Sequence, residues 1–196
     1  SDGTCTTSFG ISTTLAAGIT SQALSGVLNA NTYSYIITST DSAGNTDSSG
    51  CSGTIVIDTA APTGATALAW AQTSPHAGLN VTANWTSSSD GDEASERIDI
   101  FENDGSCSGA VYATSTLAAA TGTFNFNTGT TNNIYYYTIS TTDNAGNEQT
   151  TACSAGLELD IGPPAPPTGL AWAETTPHNA TAVNANWTLS ISSDVA

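Results

Sequence analysis

The chain repeats itself with a fixed period of 102 residues, which constrains its fold more than any other feature. Asp41-Ser-Ala-Gly-Asn45 returns as Asp143-Asn-Ala-Gly-Asn147, and Leu68-Ala-Trp70 with Pro75-His76 returns as Leu170-Ala-Trp172 with Pro177-His178. Ala83-Asn-Trp85-Thr86 returns as Ala185-Asn-Trp187-Thr188, and Cys5 and Cys51 return as Cys107 and Cys153. Residues 1–94 align with 103–196 without a gap, and about 36 of the 94 positions are identical. Such a period is the signature of tandem structural units.

Proline-rich stretches mark the boundaries, because proline cannot donate to a sheet ladder. Thr59-Ala-Ala-Pro62 and Gly162-Pro-Pro-Ala-Pro-Pro167 divide the chain into 1–61, 62–163 and 164–196. The expectation is one whole unit at 62–163, the C-terminal part of another at 1–61, and the N-terminal part of a third at 164–196. The counterpart of Ser95–Glu102 is the one stretch missing from a second full copy. Two readings follow. Either the chain is cropped from a longer array, or the two partial units complete one another between chains.

Within 62–163, short alternating runs predict strands. Leu68 and Trp70 form one, and Leu79, Val81, Ala83 and Trp85 alternate with polar residues in the next. Further strands are predicted at Ile98–Phe101, Val111–Thr114, Gly122–Phe126, Tyr135–Thr141 and Leu157–Ile161, with turns at Asn103-Asp-Gly105 and Asp143-Asn-Ala-Gly146. Seven short strands with frequent turns predict an all-β sandwich.

The Trp that ends the second strand (Trp85, Trp187) and the run Tyr135-x-Tyr137-x-Ile-x-Thr-x-Asp143-x-Ala-Gly-Asn147 resemble the fibronectin type III pattern. Ile57-Asp58-Thr-Ala-Ala-Pro62 resembles the Ig-like repeats of large bacterial surface adhesins. The resemblance covers the whole chain and implies tandem seven-stranded fibronectin III/Ig-like domains with Trp70, Trp85, Tyr135, Tyr137, Trp172 and Trp187 in their cores. Ordinary fibronectin type III domains usually carry no disulfide, so this chain departs from the pattern at its cysteines.

Those cysteines fall 46 residues apart in each pair, Cys5 with Cys51 and Cys107 with Cys153, and none has Cys-x-x-Cys spacing. Equal spacing at equal repeat positions predicts one disulfide per unit. Such bonds persist in an oxidising compartment, hence an extracellular or cell-surface location.

Seventeen acidic residues against the single cation Arg97 leave a net charge of −16. That excludes nucleic acid and anionic lipid as partners, since both need Lys and Arg clusters. No run reaches the ~18 apolar residues of a membrane helix, so no membrane insertion is expected from this segment. The fold needs no cofactor. In a fibronectin-like sandwich, however, the loops after the second and sixth strands share a pole that faces the preceding unit. The resemblance therefore gathers Asp92, with Asp90 and Glu93, against Asp143, Asn147 and the preceding unit's Asp58, a hard-oxygen set suited to Ca²⁺. Asp-x-Ala-Gly-Asn is also a sound turn with no metal. The next repeat keeps Asp194 and Asp160 but has Ser192 and Val195 where Asp90 and Glu93 stand.

Catalysis is not expected. His76 and His178 both follow proline in a turn, and no Lys accompanies the lone Arg to form an anion clamp. The expected function is a structural repeat of an extracellular fibre or stalk whose partners are neighbouring repeats or other copies of itself. The alternative is an adhesin or carbohydrate-binding module contacting a surface receptor or glycan.

Overall fold

The structure is a computed structural model that describes Cys5 and residues 12–127 and 132–191. It is all-β, with no helix among the described residues. The first four strands are β1 (Asn31–Tyr33), β2 (Thr38–Thr40), β3 (Thr46–Ser48) and β4 (Ile55–Ile57). Eight follow between the proline stretches: β5 (Thr66–Trp70), β6 (Asn80–Thr86), β7 (Glu93–Glu102), β8 (Ala113–Ala118), β9 (Thr123–Asn127), β10 (Asn133–Asp143), β11 (Glu148–Thr150) and β12 (Leu157–Leu159). A last hairpin pairs β13 (Thr168–Trp172) with β14 (Ala185–Thr188).

Two sheets organise the middle of the chain. One has the order β5-β6-β9, the other β11-β10-β7-β8 with β12 also on β10, and all their ladders are antiparallel. Alternation decides which side chains go inside. Val81, Ala83 and Trp85 of β6 face the same core as Ile98 and Ile100 of β7 and Tyr135, Tyr137 and Ile139 of β10. Leu157 and Leu159 close that core from β12.

Sequence and structure differ at several strands. Where seven were expected, eight form: the last, expected at Leu157–Ile161, is β12, and β11 is additional, both pairing with β10 on either side of the stretch that carries Cys153. The third strand begins at Glu93, not Ile98, because Glu96 fills a fully buried inward position. The fourth runs Ala113–Ala118, two residues later than Val111, and Tyr112 just ahead of it packs edge-on against Tyr135 and Phe126 at ring separations of 5.6 and 6.1 Å.

The expected core aromatics divide. Trp85, Tyr135 and Tyr137 are buried, and Trp70 is partly buried with its ring edge-on to Tyr137 at 4.9 Å. Trp172 and Trp187 are not core residues in this structure. They stand 64% and 57% exposed, because β13 and β14 pair only with each other and no second sheet lies opposite.

Both expected disulfides are present, Cys5–Cys51 and Cys107–Cys153, with Cα–Cα distances of 5.8 and 5.6 Å. They require an oxidising environment to persist. Asp104, in the turn before Cys107, accepts the Ser106 hydroxyl and the backbone N–H groups of Gly109, Ser106 and Ser108, and the hydroxyl first, then these N–H groups, hold its carboxyl down at about 2. No helix of the described residues is long and apolar enough to cross a membrane.

Local geometry recurs at the sequence period. β5–β6 and β13–β14 share one register, Trp70 opposite Ala83 and Trp172 opposite Ala185, each with an irregularity near its start. Ser74–Pro75 and Thr176–Pro177 are both cis. The amide of Gln72 caps the N–H of Thr82 as the carboxyl of Glu174 caps that of Asn184.

Candidate functional site

Three chain segments bring carboxyls to one pole of the sandwich. Asp58 follows the end of β4, Asp92 precedes β7, and Asp143 ends β10. One carboxyl oxygen from each lies within 4.8 Å of the other two. The cluster grades from buried Asp143 through half-buried Asp58 to exposed Asp92.

Asp143 is placed by its own turn. Its Oδ1 accepts the N–H of Ala145 at 2.8 Å and of Asn147 at 2.9 Å, and its Oδ2 accepts the Asn147 side-chain amide at 2.8 Å. These donors hold its carboxyl below the ordinary range, the Asn147 side chain most of all. Gly146 takes a φ of +91°, a conformation glycine reaches without strain. The turn is then joined to its neighbours. The Asn144 N–H donates to the Asp92 carbonyl at 2.9 Å, and the Asn147 amide reaches the Asp58 carbonyl at 3.3 Å.

The other residues expected at this pole behave differently. Asp90 turns to the segment before β5, where its carboxyl accepts the Thr63 N–H in a short hydrogen bond. That backbone bond, helped by the Thr63 hydroxyl, lowers its pKa. Glu93 points inward, and burial raises its pKa, with the charges of Glu96 and Asp90 adding to the effect. Asn147 donates through its side-chain amide to the Asp143 carboxyl and the Asp58 carbonyl, which places it at the same pole. Asp194 lies outside the described residues.

Asp41 builds the same turn in the β2–β3 hairpin. It accepts Ala43 N–H at 2.9 Å, Asn45 N–H at 2.8 Å and the Asn45 side-chain amide at 2.8 Å, on an exposed surface. The turn therefore forms without the joint. What the joint adds is proximity of three carboxyls with no basic side chain beside them. The chain's single cation, Arg97, is engaged on β7 by Asp99 at 3.0 Å and Glu148 at 3.2 Å. Like charges this close repel. Carboxylate oxygens are of the ligand type that hard cations take.

No protein-family model and no curated protein matches this chain.

Sequence reasoning missed Glu96, buried in the core with three hydrogen bonds, and the role of His76. The backbone of His76 ties the β5–β6 hairpin to β12, donating to the Glu158 carbonyl at 2.9 Å and accepting from Asp160 N–H at 3.0 Å. Repetition of Pro-His at 102 residues marked the position; a contact through the backbone leaves no further trace in the sequence.

Proposed function

We infer that the chain is a non-catalytic structural segment of an extracellular or cell-surface fibre, built from tandem fibronectin III-like or Ig-like sandwiches. The observation that carries this reading is recurrence. At one fixed offset the same Asp-centred turn, the same hairpin register and the same disulfide return within a single chain. Units that repeat backbone geometry in this way set length and stiffness along an array. The strand order β5-β6-β9 facing β11-β10-β7-β8 supports the fibronectin III-like assignment. The hydrogen bond from the Asn147 side-chain amide to the Asp58 carbonyl supports a joint with restricted motion between successive units.

The array stands without a cofactor, since Asp143 is satisfied within its own turn. Ca²⁺ enters this reading as the ion that would offset charge among Asp58, Asp92 and Asp143. Melting the protein in millimolar Ca²⁺ and again in EGTA tests that part: a midpoint higher with Ca²⁺, and lost in Asp92→Asn, supports it, while superimposable melts discard it.

The function itself is tested by electron microscopy of the source organism with antibody against residues 62–163. Label along extended surface appendages supports a fibre. Label confined to the cell interior overturns it.

A second reading, a glycan-contacting module, rests on a shallow depression of about 330 Å³ lined by Asn80, Val81, Thr82, Asn125, Phe126 and Asn127. Binding on a glycan array that is lost in Asn125→Ala would favour it over a purely structural role.

A further inference from the structure

The outward face of β6 carries a motif that the structural-repeat reading does not use. Alternation turns Val81, Ala83 and Trp85 into the core and leaves Asn80, Thr82, Asn84 and Thr86 on the opposite side. Asn84-Trp85-Thr86 is an Asn-x-Thr sequence, the acceptor pattern for an N-linked glycan. The strand's period of two brings the Asn and the Thr of that triplet to one face.

Comparing the two copies of this strand separates what the core needs from what it does not. A shift of 102 residues keeps Val81, Ala83 and Trp85 as Val183, Ala185 and Trp187, and core packing accounts for all three. The outward positions are half-buried or exposed, and the first two drift: Asn80 becomes Ala182 and Thr82 becomes Asn184. Asn84 and Thr86 nevertheless return as Asn186 and Thr188.

The surroundings of Asn84 leave room for a sugar. Its cross-strand neighbours are Ala69 on β5 and Thr123 on β9, both small and both exposed. Its Oδ1 accepts the Thr123 hydroxyl at 3.0 Å, while its Nδ2, the atom that takes a glycan, makes no hydrogen bond among the described residues. The bond from Thr123 does not by itself explain why Asn returns, since an aspartate oxygen would accept it equally well.

We propose that Asn84 carries an N-linked glycan on the outward face of the β5-β6-β9 sheet. The donor is a sugar chain joined through its anomeric carbon to a lipid phosphate. A transferase bonds the Asn84 Nδ2 to that carbon as the carbon–oxygen bond to phosphate breaks. The lipid phosphate leaves with the bonding electrons, and the amide gives up one proton. Oδ1 is untouched, so the bond from Thr123 survives. Both disulfides point to an exported chain, the class of protein in which Asn-x-Thr acts as an acceptor.

The consequence is hydration of a face that lacks charge. Only 9% of the residues are charged, and the outward positions of β6 and β9 are Asn and Thr alone. A glycan adds a bulky, solvated layer there.

Mass spectrometry of peptides from the protein isolated from its source organism tests this, with pepsin as the protease because Arg97 is the one trypsin site. The peptide holding Asn84 is expected to carry a mass increment of whole sugar residues, and fragment ions to assign it to that side chain. Thr86→Ala, expressed in the same organism, leaves Asn84 in place and should lose the increment entirely. Thr86 is exposed, so the fold is kept, and far-UV circular dichroism checks it. Asn84 found unmodified in the native protein overturns the proposal. An increment that sits on a Ser or Thr hydroxyl, or that persists on Asn84 in Thr86→Ala, overturns it too. None of these results bears on the fibre reading, which surface labelling tests alone.

Discussion

Trp85 donates its indole N–H to a carboxyl oxygen of Glu96 at 2.8 Å, and both side chains are buried. The other oxygen of Glu96 accepts the N–H groups of Thr121 at 3.0 Å and Gly122 at 3.3 Å. One carboxyl therefore ties β6, β7 and the turn before β9 together at the end of the core. An acidic side chain with no basic partner persists there because every accepting oxygen has a donor.

Removing that carboxyl leaves the buried Trp85 indole and the two partly buried N–H groups without an acceptor. Glu96→Ala should cost about 3 kcal/mol of stability, at roughly 1–3 kcal/mol for each unmade buried bond with partial relaxation. Glu96→Gln keeps one acceptor oxygen and the volume, and should cost about 1 kcal/mol. Urea denaturation followed by Trp fluorescence measures both. Equal losses in the two variants would mean that packing, not hydrogen bonding, holds Glu96 in place.

The bulge near the start of β5 gives a prediction of opposite sign. Ala67 adopts a φ of +53°, and its counterpart in the β13–β14 hairpin is Gly169, at +63°. A left-handed backbone costs a residue with a Cβ roughly 1–2 kcal/mol relative to glycine. The greater freedom of glycine in the unfolded chain offsets about half of that. Ala67→Gly should therefore stabilise the protein by about 0.5–1 kcal/mol, read as a higher denaturation midpoint at unchanged slope. A lower midpoint would show that the methyl group packs favourably despite its backbone.

The bulge also shows how far this fold is legible in sequence. Alternation in β6 and β10 predicts those strands because one face of each is apolar and the other polar. Its signal stops at Glu96, a polar residue in a core position, so the start of β7 read as loop. Trp172 and Trp187 show the opposite limit. Their sequence matches Trp70 and Trp85 and predicts burial, yet burial needs an opposing sheet that a local pattern cannot supply. At the acidic pole, carboxyls of Asp58, Asp92 and Asp143, which the resemblance gathers, lie near one another. The directions of Asp90 and Glu93 depended on nearby backbone donors and on depth, which composition does not encode.

Glu93 gives the protein a pH dependence. Burial first, then the charges of Glu96 and Asp90, hold its carboxyl above the ordinary value of 4.5. The folded state thus keeps this proton to higher pH than the unfolded state does. The resulting stability is fully present below pH 4.5 and is lost as the pH rises through the folded value. Asp90 and Asp143, both lowered, act in the reverse sense and lose their contribution as the pH falls. Glu93→Gln should therefore raise the melting midpoint modestly at pH 7 and change it little at pH 4. A shift of equal size at both values would discard titration of Glu93 as the cause.

Arg97 reports on the disulfide of the same unit. It is the only site for trypsin in the chain, and it lies within β7, bonded to Asp99, Glu148 and Ser140. The native protein should resist cleavage, because a protease needs an extended segment freed from its sheet. Cys107–Cys153 closes a loop with a sequence separation of 46, and a loop of that size stabilises by about 4 kcal/mol through the unfolded chain's entropy. Reduction should remove that term and raise the open population, so trypsin then cuts once after Arg97. The products are 97 and 99 residues long (196 − 97 = 99), and neither disulfide spans the cut. Gel electrophoresis of timed digests, with and without reductant, follows the two bands. Rapid cutting of the oxidised protein would show that β7 opens freely and that the disulfide does not govern the stability of this unit.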